Sequence, residues 1–299
     1  MVSVIAMYRA LLRMVMKMVG MRPQKVEIHQ GTVINFWVPS KPQNKKLAVV
    51  FLHGFAADGI LTWQFQVLAL ARKYALYVPD LVFFGESTTE RPDRSVEFQA
   101  ECVAEGLKRL GVEKCCVAGF SYGGFVGFKM AEMYSDTVES LVVSGSVPEL
   151  MESFSGPALE RLGGFSSWSQ LLLPSRAYGV RLLLDVGFYK RIPCPRFLLR
   201  DFLKETVCVN RKRKEELLVA LVKNIDSAIP KYPQRIHLIW GAKDKIFGLE
   251  VANNLKTEIG EKAEVHVIEE AGHLVMLERP FVFSSLLSHV VASSHLQCS

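Results

Sequence analysis

Three residues in a fixed chain order could do chemistry together: Ser121, Asp244 and His273. Ser121 lies in Gly119-Phe120-Ser121-Tyr122-Gly123. A serine hydroxyl is a poor nucleophile until a base takes its proton. His273, in Ala271-Gly272-His273, is the residue type for that base. Asp244, shortly after Trp240-Gly241, is the type that fixes an imidazole tautomer and stabilises the imidazolium. Such a set attacks a carbonyl, forms an acyl-enzyme and releases it to water. The Gly-x-Ser-x-Gly spacing is weak on its own. With glycine at roughly 7% of average composition, about one chain in ten of this length would carry it by chance. Asp244 alone could be a turn residue, and His273 alone a loop or helix-start histidine. Context has to decide.

The apolar run Cys115-Cys116-Val117-Ala118 leads into the serine motif, and Phe125 to Met133 after it reads as a helix. Strand, sharp turn and helix would expose the serine hydroxyl at the top of a sheet. Other strands are predicted at Val33–Val38, Leu47–Leu52, Ala75–Val78, Val138–Val143, Ile236–Trp240 and, as an edge, Glu264–Ile268. Helices are predicted from Leu61 to Tyr74, Ser95 to Leu110, Leu249 to Ile259 and Pro280 to about Ala292. Strands alternating with helices argue a mostly parallel sheet covered on both faces. Sites in such sheets lie at the carboxyl ends of the strands. His53, Asp80, Ser121, Asp244 and His273 all follow predicted strands.

The rhythm breaks at residues 149–231. Helical patterns such as Tyr178–Phe188 and Glu215–Ile225 appear there, separated by turns at Pro174, Pro193 and Pro195. This stretch is expected to form a helical lid over Ser121, with Phe154, Phe165, Trp168 and several leucines lining an apolar pocket. Phe55 and Phe84 should join them, and Phe84, Phe154 and Trp168 are the candidate substrate contacts. The run Arg211-Lys212-Arg213-Lys214 reads as the solvated start of a helix. The organisation is therefore an N-terminal basic and apolar helix (1–26), a core in two parts (27–148 and 232–299) and the lid between them.

The net charge of +6 is concentrated at the N-terminus. Residues 1–26 hold Arg9, Arg13, Lys17, Arg22 and Lys25 and no acid, so the remainder is nearly neutral. That argues against a nucleic-acid surface. Arg9, Arg13 and Lys17 fall four apart, one narrow stripe on an otherwise apolar helix. The charges break up any spanning run. Three readings stay open for residues 1–20: a helix packed on the domain with its charges in solvent, peripheral contact with a membrane surface, or an organelle-targeting segment. Six cysteines without framework spacing read as free thiols of a reducing, cytoplasmic compartment. No H-x-x-x-H pair is present, so no metal is expected. His237 and His266 read as packing or surface residues.

Taken together, His53-Gly54-Phe55, Pro79-Asp80-Leu81 with Gly85 and Ser87, Gly119 to Gly124, Trp240-Gly241 with Asp244, and Ala271-Gly272-His273 resemble the α/β-hydrolase superfamily. The order Ser, Asp, His is that superfamily's order. The resemblance runs from Trp37 to the last helix. It is strongest to plant-type serine hydrolases similar to monoacylglycerol lipases and C–C bond hydrolases. It implies an α/β-hydrolase fold, a catalytic Ser121–His273–Asp244 triad, and oxyanion donors at the backbone N–H groups of Phe55 and Tyr122. It also implies a small-molecule ester substrate with an apolar or lipid-like acyl group, and no cofactor. Epoxide hydrolases of this fold carry an aspartate where Ser121 stands, so acyl transfer is favoured. A ligand receptor with little turnover and a C–C bond hydrolase are alternatives on the same fold.

Overall fold

The computed structural model describes residues 3–43, 45–224 and 229–298. Among the described residues, eight strands make the main path of the central sheet: β1 Met21–His29, β2 Thr32–Pro39, β3 Ala48–Leu52, β4 Ala75–Pro79, β5 Cys115–Phe120, β6 Val138–Ser144, β7 Arg235–Gly241 and β8 Ala263–Ile268. Their spatial order is β1-β2-β4-β3-β5-β6-β7-β8. β1, β2 and β4 pair antiparallel, and every pairing from β4 through β3 to β8 is parallel. A two-residue strand, Thr88–Thr89, also pairs with β2.

The central strands read as continuous apolar runs because both faces are covered. Side-chain alternation then divides each run between two cores. Phe36, Val38, Val50 and Leu52 enter one, while Trp37, Val49 and Phe51 enter the other. Cys115 and Cys116 part in the same way. The first core is covered by α3 Val96–Arg109, α4 Tyr122–Met133 and α10 Leu249–Ile259. The second is covered by α1 Val4–Met18, α2 Gly59–Leu70, the short α11 Val275–Glu278 and α12 Pro280–Cys298. Ser95 caps α3 by accepting from Phe98 N–H at 3.1 Å, as its place in the sequence suggests.

Between β6 and β7 stand α5 Glu152–Arg161, α6 Trp168–Leu172, α7 Ala177–Gly187, α8 Arg196–Phe202 and α9 Arg211–Leu221. Entry and exit are joined by a parallel two-residue pair, Leu150–Met151 with Val222–Lys223. The predicted helix end at Ile225 lies outside the described residues.

Three expectations need correction. Residues 1–26 are not one helix: α1 ends at Met18, and Met21–His29 is strand β1. Gly20, at φ 84°, makes the turn, and Pro23 is tolerated because β1 is an edge strand. The basic stripe of α1 does not simply face solvent. Arg9 pairs with Asp58 at 3.1 Å and donates to Glu205 O, while Arg13 meets Glu86 at 2.5 Å. Asp58 draws Arg9 inward beside the buried Leu12 and Met16, while Arg13 and Lys17 stay exposed, as do Met7, Leu11, Met14 and Met18. Finally, Arg211–Lys214 is not all solvated. Lys214 is buried and donates to Thr206 O at 2.9 Å, and Arg211 donates to the carbonyls of Leu173 and Pro174.

Candidate active site

Ser121 stands at the corner between β5 and α4, at φ 50° and ψ −116°. Its N–H donates to Ser144 O on the neighbouring strand at 2.9 Å, and its carbonyl accepts from Gly124 N–H at 2.7 Å. Glycine is required on both sides of it. A β-carbon at Gly119 would lie 2.4 Å from Gly123 O, and one at Gly123 would lie 2.3 Å from Leu52 O. A serine at a helix start ordinarily caps with its hydroxyl. Ser121 makes no such bond, so its Oγ is uncommitted at the N-terminal end of α4.

His273 lies on the loop after β8, and its ring packs 4.9 Å, centroid to centroid, from Phe120, the residue before Ser121. Its Nδ1 is 2.8 Å from Asp244 Oδ2. The other carboxylate oxygen, Oδ1, accepts from Ile246 N–H at 2.8 Å and Phe247 N–H at 3.0 Å. One carboxylate is thereby fixed by its own loop and turned onto the imidazole. Both side chains are buried.

The loop after β3 is fixed by His53. Its Nδ1–H donates to Gly54 O at 2.8 Å, and its Nε2 accepts from Leu81 N–H at 2.9 Å. Burial lowers its pKa to about 4, so the imidazole stays neutral in this tautomer. Asp80 ties the next loop together, accepting from Asn35 Nδ2, Gly59 N–H and Glu86 N–H. Burial, then the charge of Asp58, pushes Asp80 up to about 7. Both residues order the loops around the site, as their positions after β3 and β4 suggest.

Aromatic rings close over the site. Phe55 meets Phe84 edge-on at 5.2 Å and Tyr122 at 5.5 Å. Phe154 of α5 stacks on Phe247 at 5.4 Å, and Phe247 lies 6.1 Å from His273. Trp168 is placed differently from Phe84 and Phe154. It is buried at the start of α6, where its indole N–H donates to Ser155 Oγ at 3.0 Å. A cleft of about 740 Å³, lined by Phe165, Tyr178, Leu182, Asp244 and Lys245 among others, opens between α5–α7 and the Asp244 loop. A groove of about 660 Å³ lined by Arg22, Lys46 and Lys114 lies at the amino ends of the strands, away from this chemistry.

Several residues that sequence reasoning passed over position the site. Gly145, at φ 57°, follows β6, and a β-carbon there would lie 2.6 Å from the His273 ring. Glu278 accepts from Gly272 N–H at 2.7 Å and from Tyr189 N–H at 2.8 Å, so it ties the histidine loop to the end of α7. Lys214 of α9 holds its ammonium 4.8 Å over the Phe84 ring. Burial, then the charge of Arg9, lowers its pKa to about 8. A glycine after a strand and a glutamate five residues past His273 were visible in the sequence, but nothing local marks their partners.

Residues 49–285 match the model of the alpha/beta hydrolase family. The chain belongs to that family. This hydrolase is 27% identical to the dihydrolipoyllysine-residue acetyltransferase component of the acetoin cleaving system of Pseudomonas putida, covering 87% of this chain and 66% of that one. It is 26% identical to monoacylglycerol lipase ABHD6 of Homo sapiens, covering 84% and 77%. The chain thus spans about two thirds to three quarters of these relatives' lengths. Its fold superposes on the crystal structure of a bacterial membrane phospholipase A with a TM-score of 0.79 at 22% identity, covering 97% of this chain and 91% of that one. Among the described residues no helix is long and apolar enough to cross a membrane.

Proposed function

We propose that this hydrolase cleaves carboxylic esters with apolar, lipid-like acyl groups through an acyl-enzyme on Ser121. The observation that carries this reading is the uncommitted Ser121 hydroxyl at a strained corner beside a buried His273–Asp244 pair. His273 Nε2 takes the serine proton as Oγ attacks the ester carbonyl. Asp244 holds the proton on Nδ1 and stabilises the imidazolium. The N–H groups of Phe55 and Tyr122 receive the oxyanion, and each such donor is worth about 10²–10³ in rate. His273 then protonates the leaving alcohol, and water repeats the cycle on the acyl-enzyme. The names of the relatives, which include a monoacylglycerol lipase, support an ester as substrate.

Phe55, Phe84, Phe154 and Phe247 surround this chemistry with apolar surface, which favours an acyl chain over acetate. In a panel of p-nitrophenyl esters, kcat/KM is expected to rise from acetate to medium chains. The gain should reach at most about 1–3 kcal/mol per well-packed methylene. Equal turnover of acetate and longer esters would remove the acyl site from the proposal. Turnover below about one per minute on every ester would favour a receptor, because enzymes commonly work at about 1–10³ per second.

The exposed face of α1 supports peripheral contact with a membrane. Met7, Leu11, Met14 and Met18 form an apolar stripe on the side opposite Leu12 and Met16. Lys17 flanks it, and α8, tied to α1 through Ile5 N–H and Asp201, exposes Arg196, Phe197 and Arg200 nearby. Apolar side chains fringed by cations suit the interface of an anionic bilayer. Deleting residues 1–20 would also strip Leu12 and Met16 from the core, so substitution on the outer face is the cleaner test. Leu11→Glu with Met14→Glu is expected to weaken binding to phosphatidylserine-containing vesicles at least tenfold while leaving hydrolysis of a water-soluble ester intact. Unchanged vesicle binding would end the membrane reading.

A further inference from the structure

At the open edge of the sheet, two imidazoles and a carboxylate converge from neighbouring strands. His237 on β7 is paired directly with Glu264 on β8. His266 lies two residues further along β8, so strand alternation puts it on the same face as Glu264. His237 Nδ1 is 3.1 Å from His266 Nε2. Glu264 Oε2 is 3.6 Å from the first nitrogen and 3.7 Å from the second. Three atoms at these separations lie on a circle whose centre is about 2.0 Å from each, the length of a zinc–nitrogen or zinc–oxygen bond.

The deepest ligand is already oriented. Ser294 on α12 donates its hydroxyl proton to Val290 O at 2.9 Å, so its oxygen accepts from His237 Nε2–H, also at 2.9 Å. His237 is thereby fixed as the tautomer whose Nδ1 lone pair faces the other two groups. An outer partner that sets the tautomer of a ligating histidine is a regular feature of metal sites. The sequence holds no H-x-x-x-H spacing, but that pattern reports ligands on one helix and not on two paired strands.

We infer that His237 Nδ1, His266 Nε2 and Glu264 Oε2 form a binding site for a divalent transition metal, with Zn²⁺ the best fit. Two neutral nitrogens and one carboxylate oxygen in a tripod suit zinc, and the exposed Glu264 side leaves a fourth position for water. His266 moves its Nε2 proton to Nδ1 as the metal takes its place, so the imidazole stays neutral. The site lies near the start of β7, whereas Asp244 follows the end of that strand. The metal would therefore link the last strand of the sheet to β7, and through Ser294 to α12, and take no part in the hydrolysis.

Calorimetric titration of the full chain with ZnCl₂ alone tests this. One equivalent is expected to bind at micromolar or lower Kd, and the melting temperature should rise by about 5 °C at a hundredfold excess over Kd. His266→Ala and Glu264→Gln are expected to weaken zinc binding more than 30-fold while hydrolysis of a soluble ester is unchanged. Ser294→Ala should weaken it about 10–100-fold, a loss that loose binding to surface imidazoles would not show. Cys194→Ser with Cys208→Ser should leave it unaltered. Zinc binding that is absent, that survives His266→Ala and Glu264→Gln, or that disappears with the two cysteines overturns the inference.

Discussion

Ser121→Ala is expected to lower ester hydrolysis by about 10⁶-fold while the protein folds and melts as before. The loss is large because no neighbouring group can form the acyl-enzyme in its place. The fold should be spared because the Ser121 hydroxyl makes no bond to its own helix. The backbone at φ 50° is held by Ser121 N–H on Ser144 O, by Gly124 N–H on Ser121 O, and by the close approaches at Gly119 and Gly123. None of these involves the side chain. Thermal melting beside kcat/KM on a medium-chain ester checks both halves. Activity within tenfold of the parent would show that the nucleophile is elsewhere.

Asp244→Asn is expected to cost about 10⁴-fold in kcat, with KM little changed. The geometry gives the amide two poor choices. With its oxygen toward Ile246 and Phe247 N–H, its NH₂ faces His273 Nδ1 and enforces the tautomer that puts the proton on Nε2, where the base must be free. With its oxygen toward His273, its NH₂ faces two backbone donors. A buried donor left without an acceptor costs about 1–3 kcal/mol, so a lower melting temperature should accompany the second arrangement. A mild effect on kcat would mean that another acid supports His273.

Much of the fold and of the proposed site could be read from local signals. β3, β5, β6 and β7 are buried on both faces and announce themselves as apolar runs. Ser121 and Asp244 follow such runs, His273 follows the alternating edge strand β8, and the chain order links the three. The features that escaped depend on partners far away in sequence. β1 is a polar, proline-containing edge whose partner shows only across the turn at Gly31. α1 is apolar on every side of its basic stripe, so periodicity does not choose which apolar face packs; in the structure Leu12 and Met16 enter the core and Arg9 meets Asp58. Lys214 sits in a run of four cations and is buried only because Phe84 and Thr206 O meet it there. Trp168, named from the sequence as a substrate contact, packs inside the segment between β6 and β7, where its indole N–H donates to Ser155 Oγ.

The most direct test of the proposed mechanism is labelling with a fluorophosphonate, which transfers its phosphonyl group only to an activated serine, followed by peptide mass analysis. One equivalent of adduct is predicted, on the peptide containing Ser121. It should be absent in Ser121→Ala and formed much more slowly in His273→Ala. An adduct on any other residue, or continued ester hydrolysis with Ser121 unlabelled, would contradict the account.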